Sequence, residues 1–181
     1  MTYPLPSLPQ VMNDLSNGSV VQETDMDALR LNIADLQARL EKGWSSYTPV
    51  WTTNPVPNPV VNNGSLTGEW IAYGKIITAA VRLKVGSTTT LGNGEWRFSL
   101  PFPAATVATP SGGGNYDVRW CGSWFGFHVN VANYGGSTLV KSAGTFMLLG
   151  MHGAGSHVAS TAPITWDDDD FICAQVSYEA A

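Results

Sequence analysis

The stretch KIITAAVRLKV, residues 75–85, decides the fold. Ile77, Ala79, Val81, Leu83 and Val85 fall on one face of an extended chain and Thr78, Ala80, Arg82 and Lys84 on the other, the period-two pattern of a half-buried strand. The same alternation recurs elsewhere. Trp96, Phe98 and Leu100 oppose Glu95, Arg97 and Ser99; Phe125, Phe127, Val129 and Val131 oppose Gly126, His128, Asn130 and Ala132; Ile172, Ala174, Val176 and Tyr178 oppose Cys173, Gln175, Ser177 and Glu179. Between them Tyr73-Gly74-Lys75, Leu91-Gly92-Asn93-Gly94, Ser111-Gly112-Gly113-Gly114-Asn115 and Tyr134-Gly135-Gly136 read as turns. Strands and turns at this spacing predict a mainly β chain, an antiparallel β-sandwich or jelly-roll domain over 44–181.

Upstream of Trp44 the period lengthens. Met26, Leu29, Ile33, Leu36 and Leu40 follow one another at spacings of 3, 4, 3 and 4, an a/d heptad seam. Thr24 with Asp27 three residues later resembles a capping box; Arg39 and Lys42 complement the dipole in the last turn, and Gly43 is placed to stop the helix. This predicts a short coiled-coil-like α-helix over 24–43. An amphipathic helix packed on its own domain would show the same spacing, but the apolar set is a narrow seam with only Leu31 outside it, so copies of the same helix are the expected partners. Two and a half heptads are too few to associate unaided. Residues 1–23 contain Pro4, Pro6 and Pro9 and little periodicity, as in an extended anchoring arm.

Charge divides the chain at the same place. Residues 1–43 hold six acids (Asp14, Glu23, Asp25, Asp27, Asp35, Glu41) and three bases (Arg30, Arg39, Lys42), whereas 44–166 hold three acids (Glu69, Glu95, Asp117) and six bases. A body so poor in charge is suited to packing in an assembly. The net charge of −5 argues against nucleic acid, which demands clustered Lys and Arg. No run approaches the ~18–20 apolar residues of a membrane span, and residues 1–10 lack the pattern of a signal peptide, so folding in the cytoplasm is expected.

Candidates for chemistry are few. Asp167–Asp170 is a run of carboxylates, but neighbouring strand residues alternate faces and no calcium-loop spacing is present, so a solvated acidic turn is expected. His128, His152 and His157 have no partner at a ligand spacing; His128, on the polar face of its strand, reads as a solvent or subunit-interface residue. There is no GxSxG elbow and no phosphate loop, and Asn17-Gly18-Ser19 and Asn63-Gly64-Ser65 read as turns rather than glycosylation sites. Cys121 and Cys173 read as reduced thiols, with pairing left open. No cofactor or metal is expected. Seven tryptophans suggest core filling, except that Trp120 and Trp124, beside the glycine-rich stretch, form a candidate surface-binding pair.

A family resemblance rests on Tyr47-Thr48-Pro49-Val50-Trp51, Asn63-Gly64-Ser65-Leu66-Thr67-Gly68, Tyr73-Gly74-Lys75, Arg82-Leu83, Gly86-Ser87-Thr88-Thr89-Thr90, Gly92-Asn93-Gly94 and Trp96-Arg97-Phe98-Ser99-Leu100-Pro101, together with Pro163-Ile164-Thr165-Trp166 through Tyr178-Glu179-Ala180. These segments, within 47–101 and 163–181, resemble a β-domain of tailed bacteriophages, especially those of actinobacteria. The Asp run stands where the family would place a Gly-Asp turn. The resemblance implies a virion structural protein displayed as an oligomer. Its short N-terminal helix is similar to the anchors of homotrimeric phage fibres, so the count of three comes from the resemblance; Ile33 at a with Leu29 and Leu36 at d permit dimers as well.

The expected function is therefore a homotrimeric short tail fibre or minor tail protein of the virion, not an enzyme. Residues 1–43 would attach it to other virion proteins, and the β-domain would point outward for host attachment, possible glycan contact included. The alternative is a capsid (head) decoration or spike protein. A carbohydrate-binding module using Trp120 and Trp124 is a further one, and an acid–base glycosidase using Asp168 with Glu69 or Glu95 is the third.

Overall fold

A computed structural model describes residues 23–41, 43–108, 117–129, 131–152 and 156–181. The expected arm, apart from Glu23, and the expected turn at Ser111–Asn115 lie outside the described residues. The chain divides into two units, Met1–Gly43 and Trp44–Ala181.

In the first unit the described element is helix α1, Glu23–Leu40. Thr24 lies within the helix rather than at its cap, and Asp27 turns forward to Arg30 at 3.3 Å, the i,i+3 partner that the helical turn places beside it. Met26, Leu29, Ile33 and Leu36 are all exposed, Leu36 by 57%.

The described residues of the second unit form nine strands: β1 (Ser45–Tyr47), β2 (Trp51–Asn54), β3 (Ser65–Tyr73), β4 (Ile76–Lys84), β5 (Glu95–Ser99), β6 (Val118–His128), β7 (Ala132–Lys141), β8 (Phe146–Met151) and β9 (Phe171–Glu179). They form one antiparallel sheet in the order β1-β3-β4-β9-β6-β7-β8-β5-β2. The two edge strands are consecutive in sequence. Nine strands laid flat would separate the edges by roughly 38 Å, but the linker 48–50 spans at most about 14 Å, so the sheet must curl until its edges approach. Ser99 of β5 closes the gap: its N–H donates to the Val50 carbonyl at 2.9 Å, its hydroxyl oxygen accepts from the Val50 N–H at 2.9 Å, and its carbonyl accepts from the Tyr47 hydroxyl at 3.2 Å. The opposed flanks of this curled sheet serve as the layers of a sandwich.

The core lies between the flanks. Ile77, Ala79, Val81 and Leu83 of β4 and Ile172, Ala174, Val176 and Tyr178 of β9 point inward, as their alternation predicts, with Trp96 and Phe98 of β5. Trp96 meets Trp51 edge-on at 4.7 Å between ring centroids and Trp166 at 5.5 Å.

Strand β6 departs from the expected phase. Its inner face carries Trp124 and Gly126, while Phe125 is exposed, and residues 129 and 131 lie in the connection to β7 rather than in a strand. A Cβ on Gly126 would stand 2.6 Å from the Trp166 ring, so the indole of Trp166 selects glycine at that inward position. Tyr134-Gly135-Gly136 is likewise no turn but part of β7, in register with Gly126, Phe125 and Trp124. Gly136 lets the backbone at Gly150 and the ring of Trp124 approach where a Cβ would collide with both.

Candidate functional site

The register of four strands builds a groove on the outer face of the sheet. Thr67 (β3), Arg82 (β4), Cys173 (β9) and Phe125 (β6) form one row across the strands, and Glu69, Ala80, Gln175 and Ser123 form the next. Ala80, short among longer neighbours, leaves the floor low, and the hollow measures 540 Å³. Among the described residues neither the Glu69 carboxylate nor the Arg82 guanidinium has an ion-pair partner. Phe125 forms part of the wall with 43% of its surface exposed. It rests against Phe171 at 6.2 Å, and Phe171 stacks on Phe127 at 5.3 Å, a run of rings outside the core.

Trp120 and Trp124 do not form the expected surface pair. Trp124 is 3% exposed and donates its indole N–H to the Gly150 carbonyl at 2.7 Å; Trp120 is half-buried, edge-on to Tyr178 at 6.5 Å. Both side chains pack against the core. The signal that would have found this is the Trp-x-Gly-x-Trp-x-Gly spacing of Trp120, Gly122, Trp124 and Gly126, itself a period-two pattern competing with the phenylalanines.

The aspartate run does form a turn before β9, but Asp170 is fully buried rather than solvated. Its Oδ2 accepts the Asp167 N–H at 2.8 Å and lies 2.8 Å from Nδ1 of His128, and its Oδ1 accepts the Val129 N–H at 3.0 Å. The backbone of the turn is clipped to the end of β4: the Val85 N–H donates to the Asp170 carbonyl at 2.8 Å and the Asp169 N–H to the Val85 carbonyl at 3.1 Å. Lys84 pairs with Asp169 at 2.7 Å, and this hydrogen bond with the nearby carboxylate charge holds the ammonium above its ordinary pKa. Asp170 and His128 are thus a structural clamp, because burying a carboxylate requires donors around it.

The carboxylates considered for catalysis stand on different elements, Glu69 on β3, Glu95 on β5 and Asp168 in the turn before β9. Glu95 of β5 meets Nδ1 of His157 at 2.9 Å and Arg97 at 3.4 Å, and Arg97 lies over the Phe146 ring at 4.7 Å. Glu69 sits in the groove, and Asp168 accepts the Asp169 N–H at 3.1 Å through its Oδ1. His152 is exposed, and Cys121 and Cys173 are both free thiols. Among the described residues no group of three His, Cys, Asp or Glu side chains is arranged to hold a metal ion, and no helix is long and apolar enough to cross a membrane. The groove residues were missed in the sequence because they belong to four strands whose register is not written in any one of them.

Burial raises two tyrosine pKa values. Tyr178 is pushed up to about 12, the effect opposed by the Phe102 N–H donating to its phenolic oxygen at 3.3 Å; Tyr47 is also raised, by burial and by Tyr178.

No protein-family model matches the chain, and no solved structure matches it. A segment of the chain is similar to the Mu-like prophage FluMu defective tail fiber protein of Haemophilus influenzae, with 38% identity over 50 residues. That segment is 28% of this chain and covers 8% of the relative, so the chain spans a small share of the relative's length. The comparison supports a relation to phage tail proteins at this general level.

Proposed function

We propose that the protein is a structural component of a phage virion, a homotrimeric short tail fibre or minor tail protein in which residues 1–43 assemble and anchor the chain and the β-body points toward the host. The partial similarity to a tail fibre protein carries this reading. The open seam of α1 supports it: an isolated helix of 18 residues with exposed Met26, Leu29, Ile33 and Leu36 is marginal in water and gains most of its stability by covering that seam. Leu40 would complete the seam at the next a position. The reading assigns the chain no catalysis and no cofactor.

Labelled antibody on purified particles tests the location. Labelling at the tail is expected, and labelling confined to heads would replace the fibre by a decoration or spike protein of the capsid. Light scattering on the purified chain tests the trimer, with a mass three times the 19.3 kDa of one chain as the expected result.

A further inference from the structure

We propose that the groove across β3, β4, β9 and β6 binds a neutral oligosaccharide, an assignment that rests on the reading of the β-body as the host-facing part. The groove offers both halves of the chemistry that sugar hydroxyls need. Glu69 supplies acceptors, Arg82 supplies a fork of donors, and Gln175, Thr67 and Ser123 supply groups that do both. The two charges are of opposite sign and, among the described residues, carry no ion pair, so they are available to a ligand. An anionic ligand would meet Glu69 and a cationic one Arg82. An apolar ligand would desolvate both charges with nothing in return. A hydroxyl-rich, uncharged ligand satisfies the set.

The apolar part is present too. Phe125 exposes a ring at the wall, and its packing on Phe171, itself stacked on Phe127, holds it in place before a ligand arrives. A sugar ring has an apolar C–H face that lies flat on such a ring, while its edge hydroxyls reach polar neighbours. The hollow of 540 Å³ falls in the about 300–1,000 Å³ range of small-ligand sites, and strand-borne side chains in register keep its shape.

The test titrates the full-length protein by calorimetry with a panel of neutral gluco-, manno-, galacto- and chito-oligosaccharides. Binding of at least one is expected, weakened about tenfold or more in Phe125→Ala, Arg82→Ala and Glu69→Gln, with circular dichroism unchanged. Cys173, which lines the groove, should be shielded from alkylation by the bound sugar while exposed Cys121 is not. Absence of binding across the panel overturns the proposal, as does binding that all three variants leave intact. A fall in oligomer mass on Phe125→Ala also overturns it, by making this face a contact between copies. Location on the particle is read separately: tail labelling without sugar binding removes this site and leaves the structural role standing.

Discussion

Leu36 of α1 and Leu83 of β4 are the same side chain in opposite circumstances, one 57% exposed and the other fully buried. Along the helix the whole described seam resembles Leu36; along β4 and β9 every inward residue resembles Leu83. The β-body covers its own apolar surface, because a curled sheet supplies each inner face with a facing flank. A single helix has no second face to offer. The difference teaches that the body buries its apolar surface within one chain, whereas on the function proposed above the seam of the helix is covered by copies of itself.

Substitutions can break that comparison. The largest effect is expected from Trp96→Ala: removing a fully buried indole wedged between Trp51 and Trp166 should cost about 3–5 kcal/mol, read from the urea midpoint of the far-ultraviolet signal. A midpoint that does not move would show that the body does not depend on this core.

Asp170→Ala should cost about 1–3 kcal/mol in the same assay, since it removes the acceptor of the part-buried Val129 and Asp167 N–H groups and leaves His128 without its carboxylate. Asp170→Asn should cost less, because its side-chain oxygen can still accept. If both variants match the parent, the turn is not held by this carboxylate.

A smaller, pH-dependent loss is expected in alkali. The folded state raises Tyr178 from 10.0 to about 12 and raises Tyr47 as well, so folding favours their neutral forms. Below pH about 10 both states keep the phenolic protons and the stability is fully present; as pH rises from about 10 toward 12 the unfolded chain ionises first and stability falls. Urea midpoints measured across this window should decline, and the decline should be shallower in Tyr178→Phe. An equal slope in that variant would remove Tyr178 from the account.

The smallest stability effect belongs to the helix and sharpens the contrast most. Ile33→Asp combined with Leu36→Asp should leave the body's urea transition within about 0.5 kcal/mol of the parent while reducing the light-scattering mass to the 19.3 kDa monomer. A large loss of body stability would mean that the two units are not energetically separate.

The strands of one-sided pattern were legible beforehand. In β4, β5 and β9 one face is apolar and the other, apart from Ile76 and Phe171 at the strand ends, polar or small, so alternation alone assigns the buried side. Strand β6 has aromatic residues on both faces, Trp120 and Trp124 against Phe125 and Phe127, and alternation cannot choose between them. The choice falls to its neighbours: Trp166 fills the space over Gly126, and the Gly150 carbonyl takes the Trp124 N–H. Asp170 was misread for a similar reason, since four successive aspartates look alike until one of them meets His128 and two backbone donors.

The sequence by itself determined the local periods: a heptad seam over 26–40, period-two strands, a charge-poor body and the absence of a nucleophile or phosphate-loop motif. Those properties depend on residues a few positions apart, which is the range that one chain segment can encode. Tertiary structure decided which edge strands meet through Ser99, which face of β6 is inside, which aspartate is buried and which eight side chains of four strands share a groove. Each of these depends on residues far apart in the chain and brought together by strand register, and register is settled by the packing of the whole sheet.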